Sequence, residues 1–178
     1  MRLMPPVPRS ALRLIPIPHA LVDPLLGAVE TGAEEVVRRL AWVAAAVPDR
    51  QLEQLMRTPA GRVITETIFL IMPRYLNTRQ AAGLDMAIRW RVRGPGSQEE
   101  PDVYDLIIAE RRCRVTRGAS EARPLVTITV ESTELLRLAT GRSSPMQSYL
   151  AGRLSLRGDI MQAARLTSLF SVPPGPGG

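Results

Sequence analysis

Residues 148–170 read SYLAGRLSLRGDIMQAARLTSLF. Leu154 and Leu156 alternate with Arg153, Ser155 and Arg157, the two-residue period of a strand with one apolar and one polar face. Asp159 and Gln162, three apart, then precede a broad apolar arc of Ile160, Ala163, Ala164, Leu166 and Phe170, the pattern of a capped helix. A strand and a helix are thus expected here, with no group suited to catalysis.

The same two patterns extend upstream. GLDMAIRWRVRG places Leu84, Met86, Ile88, Trp90 and Val92 on one side and Asp85, Ala87, Arg89, Arg91 and Arg93 on the other, predicting a strand with a basic outer face. The polar run 94–102 makes a hairpin connection, and VYDLIIAE, RRCRVTR and RPLVTITVE follow as strands, arranged as an antiparallel meander. Ser132 opens the helix TELLRLAT, closed by Gly141. Ser144-Pro145-x-Gln147 then starts a short helix with an N-cap, an N1 proline and a capping-box glutamine in register.

Before the first strand the chain reads as helices. Asp23-Pro24 offers a cap. Residues 31–47 form a helix with Glu34 and Glu35 ahead of Arg38 and Arg39, and with Val36, Leu40, Val43 and Val47 on its apolar face. Asp49 caps a helix through Met56. Thr58-Pro59 begins another whose crowded apolar surface, predicted to be almost wholly buried, runs to Pro73. The fold class is α+β: a five-stranded, mostly antiparallel sheet covered on one face by helices, with an N-terminal helical extension. The boundaries read are a Pro-rich and helical extension over 1–57, a core domain over 58–172 and a flexible tail over 173–178.

Composition narrows the chemistry. The 178 residues are 45% hydrophobic but only 4% aromatic, an aliphatic stock poor in the stacking platforms that single-stranded nucleic acid needs. The net charge of +6 comes from 23 basic residues, all arginine, which fits a coding bias as well as it fits phosphate recognition. No nucleic-acid partner is expected. Cys113 is the sole cysteine and His19 the sole histidine, far apart in sequence, so neither a disulfide, a cysteine-rich metal site nor a Cys–His dyad is expected. Asp85, Asp105 and Asp159 are the only acids near strand or helix ends in this region. No transmembrane run and no convincing signal peptide is present, and a cytoplasmic protein is the default expectation.

The segment GRLSLRGDIMQAARLTSLF resembles the C-terminal signature of the sterol carrier protein 2 family. IFLIMPRYLNTRQAAGLDMAIRWRVRG is similar to that family's first helix, proline break and entry into strand one. VTITVESTELLRLATGRSSPMQSYLAGRL is similar to its fourth strand and the helices that follow. The resemblance spans residues 64–170, with two departures: Glu110-Arg111 stands where many members have Asp-Gly, leaving the turn type open, and Arg153 replaces the usual lysine.

The resemblance implies non-catalytic binding of a sterol, fatty acid, acyl-CoA or isoprenoid in an apolar cavity, with no cofactor, no metal and no catalytic residue. The expected walls are Met146, Tyr149, Leu150, Ile160, Met161, Leu166 and Phe170 on one side and Met86, Ile88, Ile128, Leu135 and Leu138 on the other. Met72 joins the methionines that suit adaptable walls, and Gln147 joins Tyr149 as a candidate polar contact. Arg89, Arg91, Arg93, Arg153 and Arg157 are candidates for docking an anionic membrane surface or a carboxylate. Two other readings stand beside the carrier: a non-enzymatic accessory protein for a partner enzyme of lipid, quinone or natural-product biosynthesis, and an enzyme on a polyketide-like substrate. Unmatched apolar surface on the N-terminal helices leaves room for a homodimer.

Overall fold

The structure is a computed structural model and describes residues 32–95, 99–159, 161 and 168–170. The Asp23-Pro24 cap and the site candidates Ile160 and Leu166 lie outside these residues, as does most of the expected last helix. Helix α1 spans Ala33–Ala46 and buries Val36, Leu40 and Val43; Glu35 accepts from Arg39, the four-residue pairing its spacing predicts, and also takes Arg38, which the same spacing assigns to Glu34. Helix α2 spans Asp49–Met56, but Asp49 is its first residue rather than its cap. Pro48 holds the cap position, and the Asp49 carboxylate instead accepts a hydrogen bond from Arg137 at 2.8 Å. Helix α3, Pro59–Ile71, begins after Thr58 and gives way to a 3-10 turn at Met72–Tyr75, where Pro73 cannot continue the α-helical hydrogen bonds. Its surface is less enclosed than the crowded apolar sequence predicts. Leu70 is 53% exposed, so burial stops short of the whole helix.

Strands β1 (Met86–Arg93), β2 (Asp102–Ala109), β3 (Arg112–Arg117), β4 (Val126–Glu131) and β5 (Leu154–Gly158) form one sheet in the order β3-β2-β1-β4-β5. The expected meander holds for β1, β2 and β3, and β4 pairs antiparallel with β5. It fails at the centre, where β4 crosses back to lie parallel to β1, pairing Ile88 with Val126 and Val92 with Val130. With β2 already on one side of β1, the other side is the free edge at the middle of the apolar surface. The chain reaches it through 118–125, anchored where the Leu125 N–H donates to the Ala87 carbonyl at 2.8 Å.

The β2–β3 turn is settled by its backbone. Glu110 and Arg111 have φ of 51° and 62°, so two L-residues adopt the left-handed conformation of a type I′ hairpin that usually favours Asn or Gly. A hydrogen bond of 3.1 Å from Arg111 Nε to the Thr78 carbonyl holds the second of them.

Helices α4 (Ser132–Ala139) and α5 (Pro145–Leu150) complete the fold. The Ser144 cap forms as its sequence predicts, its Oγ accepting from the Gln147 N–H at 3.2 Å. Helices α1, α2 and α3 each pack against α4, which in turn packs on β1 and β4. A single buried cluster therefore joins Val36, Leu40, Leu52 and Met56 of the N-terminal helices to Ile88, Val126 and Leu135 of the sheet layer. The chain end is tied in as well, because the Asn77 N–H donates to the Leu169 carbonyl at 2.7 Å and Leu76 bridges Phe170.

Gly158 marks the tightest approach in the sheet. Its φ is +113°, and a Cβ there would stand 2.4 Å from the Leu125 carbonyl oxygen. Gly158→Ala is expected to cost about 2 kcal/mol, combining an unfavourable φ with a contact that only backbone movement relieves. Urea denaturation of the two proteins measures it.

Candidate functional site

The pairing register sorts the strand residues onto two faces. Met86, Ile88, Trp90 and Val92 of β1 share the helix-covered face with Tyr104, Leu106 and Ile108 of β2. Val126, Ile128 and Val130 of β4 and Leu154 and Leu156 of β5 continue it. Leu135, Leu136 and Leu138 of α4 are buried in the same cluster. The layer between sheet and helices is therefore almost wholly aliphatic, apart from one aromatic group. There Phe69 of α3 stacks on Tyr104, with ring centres 4.1 Å apart and planes 13° apart, and meets Trp90 edge-on at 5.9 Å and 71°.

Among the described residues, five buried polar side-chain atoms have no hydrogen-bond partner: Tyr75 Oη, Trp90 Nε1, Tyr104 Oη, Ser132 Oγ and Thr133 Oγ1. Burial, followed by the nearby carboxylates of Asp102 and Glu66, pushes the Tyr104 phenol up to about 12. It stays a neutral donor at any physiological pH. Arg117 links α3 to the sheet margin here, bonding Glu66 at 2.6 Å and Asp102 at 3.5 Å. Cys113, on the apolar side of β3, is half-buried, and burial pushes its thiol up to about 11, far from a reactive thiolate.

The expected wall residues divide into three groups. Ile88, Ile128, Leu135 and Leu138 are buried, while Met86 and Phe170 are partly buried against the same cluster, as is Met72. Met146, Tyr149, Leu150 and Met161 face solvent, with exposures of 63%, 39%, 77% and 81%. Gln147 is exposed too. Ile160 and Leu166 fall outside the described residues.

Two polar clusters draw the docking candidates Arg89 and Arg153 onto buried carboxylates that are not among the expected site residues. Asp105, fully buried at the centre of the opposite sheet face, accepts from Arg89 Nε and Nη2 at 2.8 Å each and from the Ser120 N–H and hydroxyl at 2.6 and 2.7 Å. Burial raises its pKa, but Arg89 and Ser120 outweigh this and hold the carboxyl below its ordinary range. The basic outer face is correspondingly reduced: Arg89 is half-buried and paired, Ala87 is buried, Arg91 lies 3.7 Å from Glu100, and Arg153 lies 3.2 Å from Glu134. The second cluster surrounds Glu134, buried in α4. Ser148 donates to it at 2.5 Å and Arg137 at 3.2 Å, with Arg153 also at 3.2 Å. Its carboxyl, raised by burial and lowered more by Ser148, Ser143 and the two arginines, ends below its usual value. The only local signal for either cluster is a carboxylate beside leucines.

No group of three or more His, Cys, Asp or Glu gathers as a metal site among the described residues, and no described helix is long and apolar enough to cross a membrane. The chain carries the model of the SCP-2 sterol transfer family over residues 77–171, more than half its length. It belongs to the SCP-2 sterol transfer family. The domains of this family are lipid-binding modules, generally without catalytic activity.

Solved structures are similar to the chain at low identity. Apo sterol carrier protein 2 of Yarrowia lipolytica is 15% identical, with a TM-score of 0.50 covering 59% of this chain and 88% of that one. Sterol Carrier Protein 2 Like 2 of Aedes aegypti is 18% identical, with a TM-score of 0.46 over 61% of this chain and 98% of its own. The sec-alkylsulfatase Pisa1 of a Pseudomonas species, 15% identical with a TM-score of 0.50, covers 92% of this chain but only 34% of its own. No curated protein matches the chain. The wider overlap with Pisa1 extends the fold likeness beyond the residues that carry the SCP-2 model.

Proposed function

We propose that this protein binds an elongated hydrophobic molecule, a sterol, fatty acid, acyl-CoA or isoprenoid, between the apolar sheet face and the helices, and carries it without chemical change. The aliphatic layer bounded by Met86, Ile88, Ile128, Leu135, Leu138 and Phe170, in a chain of this family, supports the reading. Burial of an acyl chain gains about 0.8 kcal/mol per methylene. Roughly sixteen carbons thus offer about 13 kcal/mol before association costs of about 4–15 kcal/mol. At the lower end of that cost about 9 kcal/mol is left, enough for micromolar affinity without a specific polar contact. Trp90 and Tyr104, with unpartnered donors in this layer, are the groups to meet a hydroxyl or carboxyl on the ligand.

Native mass spectrometry of gently purified protein, followed by uptake of a fluorescent fatty acid, tests the proposal. A stoichiometric lipid, or saturable uptake weakened roughly tenfold by Leu138→Trp, is the expected result, since an indole takes the volume the chain needs. Circular dichroism establishes that the variant is folded. A clean apo mass with no uptake by the wild-type protein would overturn the carrier reading.

A further inference from the structure

Helix α5 reverses the usual partition of an amphipathic helix. Its one buried residue is a serine, Ser148, fully enclosed and donating to the Glu134 carboxylate, while Met146, Tyr149 and Leu150 stand outward. Positions 146, 149 and 150 are three and four apart and so share one side of the helix. Their orientation is set from inside. Ser148 is locked to Glu134, the Ser144 cap fixes the first turn, and the Arg153 N–H closes the end on the Ser148 carbonyl at 2.9 Å. The apolar side is therefore held toward solvent.

Along the sequence between Glu134 and Asp159 the charge is all positive, and Asp49 pairs with Arg137 from α2. From Leu135 to Gly158 the chain has four arginines, Arg137, Arg142, Arg153 and Arg157, and no acidic residue. The nearest carboxylate, Glu134, is buried and already satisfied by Ser148, Arg137 and Arg153. Arg142 precedes the helix in an exposed turn.

We propose that α5 is a docking face for an anionic lipid surface, with Met146 and Leu150 entering the acyl boundary, Tyr149 at the headgroup level and Arg142 meeting the lipid phosphates. Interfacial binding needs only a few inserted apolar side chains backed by cations, and a tyrosine is suited to the boundary because its ring is apolar and its hydroxyl wet. Three side chains on a six-residue helix fall well short of the roughly 800 Å² per partner of a stable protein interface, which favours the lipid surface over a second copy. The inference goes beyond carriage of a hydrophobic molecule, because docking does not require cargo.

Co-sedimentation with vesicles of phosphatidylcholine and phosphatidylserine in a 70:30 ratio (about 30% anionic lipid), compared with phosphatidylcholine alone, is the test. The wild-type protein should partition into the anionic vesicles, M146S/L150S should lose roughly tenfold of that binding, and R142Q roughly fivefold. All three proteins should melt together and take up fluorescent fatty acid equally in vesicle-free buffer. Equal vesicle binding by wild type and M146S/L150S, or none by the wild type, would overturn the assignment. Parallel loss of fatty-acid uptake in M146S/L150S would place the side chains in the cargo site and overturn it too. Self-association in vesicle-free buffer that disappears in M146S/L150S would make a second copy the occupant and equally overturn the lipid assignment.

Discussion

Asp105→Ala is expected to destabilise the protein by about 3 kcal/mol. The carboxylate is fully buried, and its removal strands a half-buried guanidinium on Arg89 and takes the acceptor from both the N–H and hydroxyl of Ser120. Breaking one side of a buried pair costs about 3–5 kcal/mol, and the 22% exposure of Arg89 puts this case at the lower end. Asp105→Asn, which keeps the shape and one acceptor, should cost about half as much. Urea denaturation at neutral pH measures both. The pH dependence has a definite sign. A carboxyl held below its unfolded value contributes stability that is fully present above that value, near 3.8, and is lost as pH falls through the lower folded pKa. The acid limb of the stability curve below about pH 4 should therefore be shallower in Asp105→Ala than in the wild type.

Glu134→Ala should cost about 2–3 kcal/mol and act on a different part of the molecule. Glu134 joins α4 to α5 through Ser148 and to the start of β5 through Arg153, while Arg137 passes the link on to Asp49 of α2. The Asp49 end is 71% exposed and contributes little. The loss comes instead from the enclosed hydroxyl of Ser148, which keeps only the Ser144 carbonyl at 3.0 Å, and from Arg153, which loses its carboxylate, while Arg137 retains Asp49 alone. Hydrogen exchange should accelerate across residues 145–153 before the sheet is affected, and Glu134→Gln should recover part of the loss. Like Asp105, this carboxyl is depressed, so its contribution is complete above the unfolded value near 4.5 and falls away in acid.

These two clusters mark where reading the sequence stops. Alternation along 84–93, 126–130 and 153–157 predicts strands and their inward residues, and Ile88, Ile128 and Leu154 are buried as that period requires. Thr58-Pro59, Pro73 and Ser144-Pro145 are local signals and delimit their helices accordingly. Alternation, however, is the same in parallel and antiparallel pairs, so nothing in β4 announces that it lies parallel to β1. Arg89 reads as outward, and Asp105 only as an acid near a strand end. Their burial depends on Ser120, brought over the sheet by a loop whose path no local pattern encodes. On α5 the apolar residues suggest an inner wall, but a six-residue helix has too little periodicity to fix its own rotation. A glutamate fourteen residues upstream fixes it instead.

The strand order leaves β3 and β5 at the margins of the sheet, where unpaired backbone groups invite another molecule's strand. Both margins are poor templates. β3 carries Arg112, Arg114 and Arg117 within six residues, and β5 is only five residues long, with Arg157 beside a glycine. A second sheet aligned edge to edge would set like charges against each other, a repulsion of the same order as the cross-strand contacts that would drive the pairing. The arginines on β3 and β5 therefore guard this protein against aggregation through its sheet edges, whatever its cargo.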